Sequence, residues 1–322
     1  MRFEDEPVPG YPLPILAGHT SPGRFERVLR TGVFAVTTEL APPDSADPEE
    51  VFRRARVFDG YVDAINATDG SGANCHMSSV AVCALLTRMG YAPIMQISCR
   101  DRNRIAIQGE ILGAAAMGVA NLLCLTGDGV QAGDHPQAKP VFDLDSRTLT
   151  ETARRIRDEG RLPHGAKVGG AAPFFLGAAD TPLDPPPGWQ PTGLAAKVAA
   201  GTQFVQTQFC MDAGIVRRYL ARLAEHGLVP RLAILIGVVP LKSARSARWM
   251  RKHLPGTIIP DAIIARLEGA ADSAVEGRRV CVELMQELAE IPGVAGAHVM
   301  APANPEAIPE VLAEAASMRR TS

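Results

Sequence analysis

Aromatic side chains are scarce, 5% of 322 residues, and no basic block or Lys/Arg stripe stands out against a formal net charge of −2. Nucleic-acid binders need stacking rings and a cationic surface, so both shortages argue against that class. Long apolar runs are lacking too: none approaches the roughly 18 residues that span a bilayer. The opening MRFEDEPVPGYPLPILAG is acidic and Pro-rich, without the basic-then-apolar order of a secretory signal. Six cysteines, Cys75, Cys83, Cys99, Cys124, Cys210 and Cys281, include no Cys-x-x-Cys pair, and several sit inside apolar runs as buried thiols do. These features imply a cytoplasmic protein with reduced thiols. Metal-ligand spacing is missing: Cys75-His76, His135 and His164 read as surface-loop residues, so no metal is expected. Gly127-Asp128-Gly129 and Gly169-Gly170 are not a dinucleotide fingerprint, lacking Gly-x-Gly-x-x-Gly after a first strand.

Apolar residues make up 46% of the chain, enough for a substantial core, and their periodicity alternates. Short apolar strands are read at 33–40, 61–67, 93–99, 122–125, 173–179, 203–208, 232–238 and 294–301. Helical patterns follow at 47–58, 77–89, 104–117, 148–158, 194–200, 215–226, 243–253, 261–268, 275–291 and 306–318, after a first short helix at 24–30. Strict alternation of strand and helix marks a parallel sheet, and eight units in about 290 residues close a barrel. The expectation is α/β: one (βα)8 barrel over 23–322, preceded by an arm at 1–22. Polar residues fall at strand C-termini: Glu39, Thr68 with Asp69, Gln96 with Cys99, Asp128, Asp180 with Thr181, Gln208 and Lys242. In such a barrel those ends share one face, where sites are built.

The stretch 121–146, NLLCLTGDGVQAGDHPQAKPVFDLDS, is the centre of this pattern. A buried strand ends in Thr126-Gly127-Asp128 and delivers one carboxylate into a long Gly/Asp/Pro-rich loop. Gly127 permits close backbone approach because it carries no side chain. Glu39, at the end of an apolar strand and before Pro42-Pro43, is costly there unless it has a partner or a task. Lys242 could be read as a Schiff-base lysine, but its Ser/Arg-rich flank reads better as an exposed helix start.

The ordered set TTELAPP (37–43), SCRDRN (98–103), CLTGD (124–128), GDHPQAKPVFDLDS (133–146), KVAAG with QTQF (197–209) and GVVPLKSAR (237–245) resembles methylenetetrahydrofolate reductases over about 24–316, in the bacterial branch with Thr-Gly-Asp. The resemblance implies an FAD-dependent oxidoreductase of one-carbon metabolism that uses NADH or NADPH to reduce 5,10-methylenetetrahydrofolate to 5-methyltetrahydrofolate. The flux could feed methionine synthesis or run backward. By position, Glu39 would be the general acid, its carboxyl kept partly protonated by a dry strand end. Asp128 and Gln208 would bind the folate, and Asp128 would also tune the flavin. Asn66, Ala67, Asp69, Gln96, Thr126, Gly127, Asp128, Phe142, Asp143, Ala179, Thr181 and Lys197 would line the FAD, with Lys197 at the diphosphate.

The chain departs from the family pattern at several of these places. The family often has His at Gln96 and Thr181, Arg at Thr126 and Ala196, and Asn at Gly193. The diphosphate charge is thereby reduced to Lys197, and the Arg often found near Asn304 for the glutamate tail is missing. A homo-oligomer is the expected assembly, and relatives from acetogens work with a partner electron-transfer subunit. The other reading kept open is a folate-binding or scaffold subunit with weak or lost FAD. Retention of Glu39, Asp128 and Gln208 together weighs against it.

Overall fold

The computed structural model describes residues 15–302 and 307–318 of the chain. Eight parallel strands close into a barrel in sequence order. They are β1 (Ala35–Leu40), β2 (Ala64–Ala67), β3 (Pro93–Ser98), β4 (Asn121–Leu125), β5 (Phe175–Asp180), β6 (Phe204–Phe209), β7 (Ala233–Val238) and β8 (Val294–Val299). The helices are α1 (Arg24–Arg30), α2 (Pro48–Arg56), α3 (Ser79–Arg88), α4 (Arg104–Ala116), α5 (Ser146–Glu159), α6 (Thr192–Ala200), α7 (Ala213–Glu225), α8 (Ala244–His253), α9 (Asp261–Gly269), α10 (Ser273–Ala289) and α11 (Ala307–Met318). The (βα)8 barrel expected from the alternation is therefore present. Residues 1–14 of the expected arm, and Asn304, lie outside the described residues.

Local chemistry moves some boundaries. Helix α5 starts at Ser146, before the predicted 148, because Asp145 and Thr148 form a reciprocal capping box. Strand β2 starts three residues later than its apolar pattern: the Asp63 carboxylate is turned back onto the Val36 amide at 2.8 Å. Helix α3 starts two residues late, since the Met77 amide is bonded to the Pro43 carbonyl.

Side chains alternate along each strand, so every second residue points into the barrel. The lowest interior layer is apolar: Ala35, Ala64, Ile94, Leu123, Phe175, Phe204 and Leu235. Helix α1 closes the floor beneath it. Phe25 is fully buried, edge-on to Phe204 at 5.2 Å and to Phe175 at 6.0 Å, while those two rings stack at 5.0 Å. Gly177 is required here, because a Cβ would lie 2.2 Å from the Phe204 ring. The anchor of α1 is the buried Glu26 carboxylate, which accepts from the Ser21 amide at 2.8 Å and pairs with Arg30 at 3.0 Å. Outside the barrel, the larger apolar layer packs strands against the helical ring.

Candidate active site at the C-terminal rim

Above the apolar floor the interior turns polar. Two residues further along the strands stand Thr37, Asn66, Gln96 and Gln206, joined by His298 of β8, all at least nine-tenths buried. Buried polar groups need partners, and here they supply one another. Asn66 and Gln206 exchange amide hydrogen bonds, Asn66 Nδ2 donating at 2.6 Å and Gln206 Nε2 donating back at 3.0 Å. The Gln206 amide also donates to the Thr37 hydroxyl at 3.0 Å. That leaves the hydroxyl's own proton for His298 Nδ1, at 2.9 Å. With Nδ1 accepting, the ring proton resides on Nε2, which faces Glu39 Oε1 at 3.6 Å.

Glu39 tops this network. Its Oε1 accepts from Gln96 Nε2 at 2.9 Å, and its side chain remains 29% exposed toward the mouth. Burial, the largest influence, pushes its pKa up, but the facing His298 ring and the Gln96 amide outweigh it, so the net shift is downward. This differs from the upward shift expected of a dry strand end, and the reason is specific: the sequence pattern showed the burial and not the two donors.

The other predicted residues divide into those at the mouth and those committed elsewhere. Gly127 follows β4 with φ +92°, and a Cβ would lie 2.5 Å from Ser98 Oγ, so the close approach it permits is to β3. Asp128 lies just beyond, exposed on the same rim as Glu39, with no hydrogen-bond partner among the described residues. Ala179 and Gln208 stand half-buried at the ends of β5 and β6. Gln208 donates to the Pro255 carbonyl at 3.3 Å and accepts from the Phe209 amide, so the deeply buried bridging amide is Gln206. Ala67 is buried in the layer between strands and helices. Asp69 braces loops: Arg102 grips both its oxygens at 2.7 and 2.9 Å, and the Ser98 amide adds a third bond at 2.8 Å. Asp143 is likewise closed onto Arg104 at 2.8 Å, which holds its carboxyl down to about 2. Thr126 accepts from the Ser146 amide. Phe142 is exposed at φ +43°, a strained value for a non-glycine residue, pinned by its amide bond to Cys99 O. Lys197 donates to the Ala179 carbonyl at 2.8 Å, and Thr181 is exposed. Lys242 is exposed at the start of the α8 segment, as its flank indicates. No metal-ligating group of three or more His, Cys, Asp or Glu occurs among the described residues.

His298, Gln206 and Thr37 were not singled out as site residues from the sequence. The available signal was period-two placement: Thr37 lies two before Glu39, Gln206 two before Gln208, and His298 on the inward face of β8.

A flavin fits what is here. Gln208 and the small Ala179 edge the mouth over a polar floor that includes Gln96, a set against which a ring system can lie. Helix α6 begins without a side-chain cap, and the space around Gly193 in its first turn is open, as a phosphate approach requires.

Fold and site together define a (βα)8 barrel whose C-terminal rim carries a carboxyl over a buried polar network. The sequence profile described as methylenetetrahydrofolate reductase matches residues 24–316, and the chain belongs to that family. Comparison with curated protein sequences gives no match. Among solved structures, the chain is similar to an uncharacterised protein from Clostridium thermocellum that binds two copies of 5-methyl-5,6,7,8-tetrahydrofolic acid: TM-score 0.63, 12% identity, 93% of this chain and 100% of that one covered. It is also similar to the EDTA monooxygenase EmoA from Chelativorans sp. BNC1 (TM-score 0.52, 12% identity, 89% and 93% covered). DmoA from Hyphomicrobium sulfonivorans gives TM-score 0.51 at 9% identity, with 89% and 87% covered. At such identities these structures share the fold. No helix among the described residues is long and apolar enough to cross a membrane.

Proposed function

We propose that this chain reduces 5,10-methylenetetrahydrofolate to 5-methyltetrahydrofolate at the C-terminal rim, with NADH or NADPH as hydride source and Glu39 as general acid. Family membership and the binding of methyltetrahydrofolate by the Clostridium thermocellum neighbour support the substrate class. The observation that carries the reading is Glu39 itself: a half-open carboxyl over a hydrogen-bonded floor. Asp128 and Gln208 are its companions for the pterin. Gln96, Gln208, Lys197 and the start of α6 are the residues that would hold FAD, and the chemistry FAD would supply when bound is hydride transfer from the nicotinamide to the one-carbon unit.

In the free protein the carboxylate is the favoured form of Glu39. A ring system laid over the mouth excludes water from its remaining exposed surface, which strengthens the upward push of burial. The carboxyl can then hold the proton it delivers to the bridging nitrogen of the imidazolidine. The carbon–nitrogen bond opens, the methylene carbon becomes an iminium, and it accepts the hydride. Gln96 and His298 keep the carboxyl in position and stabilise the carboxylate left behind.

The test is methyltetrahydrofolate formation by purified protein with NADH or NADPH and added FAD. Glu39→Gln should lower turnover about 10²–10⁴-fold while folate affinity stays within severalfold. Retention of more than a tenth of wild-type turnover would remove Glu39 from the role. A second reading, a folate-binding subunit that relies on a partner for electrons, is favoured by the commitment of Asp69 and Asp143 to arginines. It predicts folate binding without nicotinamide oxidation.

A further inference from the structure

We propose that the chain carries a second ligand site, at the N-terminal mouth of the barrel, where a cleft binds an organic monoanion with an apolar body. The cleft is bounded by the end of α1, by the single turn Val229–Arg231 that leads into β7, and by the turn that leads into β8. Its volume is about 530 Å³, within the range of small-molecule pockets. Gly293 lets the two turns close on each other: its φ is +92°, and a Cβ there would lie 2.6 Å from Val229 Cγ1. Leu29, Val33 and Phe175 supply the apolar wall. Val33 is 51% exposed, so it leaves apolar surface for a ligand body to cover. Val33 precedes β1 and Glu39 stands near that strand's other end, so this site is separate from the reaction proposed above.

The charged side chains that line the cleft are Arg30 and Arg231, and no Asp or Glu lines it among the described residues. Arg30 is paired with the buried Glu26 carboxylate at 3.0 Å, which offsets its charge. Arg231 is exposed and has no side-chain hydrogen bond or ion pair among the described residues. Gln203 is committed elsewhere: its carbonyl oxygen accepts from Arg157 at 2.6 Å and from the Leu176 amide at 3.2 Å, and its own amide donates to the Thr20 hydroxyl at 3.0 Å. One free guanidinium therefore reads the head group, and its planar fork suits a carboxylate or sulfonate. A neutral ligand would leave that fork unused, and a dianion would find the second cation already taken.

The experiment uses the full chain without flavin or nicotinamide and titrates it with anilinonaphthalene sulfonate, a fluorescent organic anion. For a probe of about twenty heavy atoms the expected dissociation constant is about 10–100 µM. Uncharged phenylnaphthylamine should bind at least about tenfold more weakly, and phenylbutyrate should displace the sulfonate. Arg231→Ala should weaken the sulfonate about tenfold and leave phenylnaphthylamine unmoved, with a smaller loss in Arg231→Lys. Val33→Asp, which sets a carboxylate against the anion, should weaken the sulfonate about tenfold as well. Both positions are exposed, so these variants should fold. Sulfonate affinity unmoved by Arg231→Ala and Val33→Asp would overturn the proposal, as would no binding at about 1 mM probe. Displacement of the probe by FAD or methyltetrahydrofolate would place it at the C-terminal rim and overturn the proposal too.

Discussion

Replacing His298 by Asn tests the network beneath the general acid. A carboxamide oxygen can take the place of Nδ1 and still accept from the Thr37 hydroxyl, but nothing then reaches Glu39. The lost contact is a ring N–H facing a carboxylate at 3.6 Å. Hydrogen bonds to charged groups contribute about 1.5–3 kcal/mol. This one is longer than a good hydrogen bond and its acceptor is 29% exposed, so about 1–2 kcal/mol is the reasonable loss at neutral pH. The sign with pH is fixed by the direction of the shift. Glu39 is depressed in the folded protein, so its stabilising contribution is fully present above the unfolded-state glutamate pKa and is lost as pH falls through the folded value. The wild-type advantage over His298→Asn should therefore be present at pH 7 and vanish under acid conditions. In the variant, burial is opposed by Gln96 alone, and the Glu39 carboxyl should titrate above its wild-type value. Urea unfolding at both pH values, with a carbon-13 titration of the Glu39 carboxyl, measures this. An advantage that is the same at both pH values, or a Glu39 that titrates no higher in the variant, would refute the reasoning.

Two further perturbations probe the frame. Phe25→Ala should cost about 3–5 kcal/mol in chemical denaturation, because it opens a cavity under the aromatic floor; a loss below 1 kcal/mol would mean α1 is not the plug. Gly127→Ala should cost about 1–3 kcal/mol and weaken folate binding, since φ +92° and the 2.5 Å approach to Ser98 Oγ both disfavour a Cβ; unchanged stability would contradict that strain.

The barrel was legible in the sequence because strand–helix alternation is a local, repeated signal, and Glu39, Asp128 and Gln208 were legible because strand C-termini of such a barrel share a face. The bundle of motifs added the family. Missing from that reading was the hydrogen-bonded network inside the barrel: of its members Asn66 and Gln96 were named, as cofactor contacts, and Thr37, Gln206 and His298 were not. Thr37, Asn66, Gln206 and His298 come from four strands, far apart in the chain, and only closure brings their amides, hydroxyl and ring within hydrogen-bond reach.

The sequence alone determined where strands run, which positions can face inward, and that carboxyls stand at their ends; each depends on neighbours a few residues away. Tertiary structure alone decided what those carboxyls feel. Burial pushes Glu39 one way, and His298 and Gln96, from strands remote in the sequence, turn it the other way. Asp69, Asp143 and Lys197, all candidate ligand contacts by position, became braces because Arg102, Arg104 and the Ala179 carbonyl lie next to them in space. Pairing energies depend on distances of a few ångströms between remote residues, and no one-dimensional pattern carries those distances.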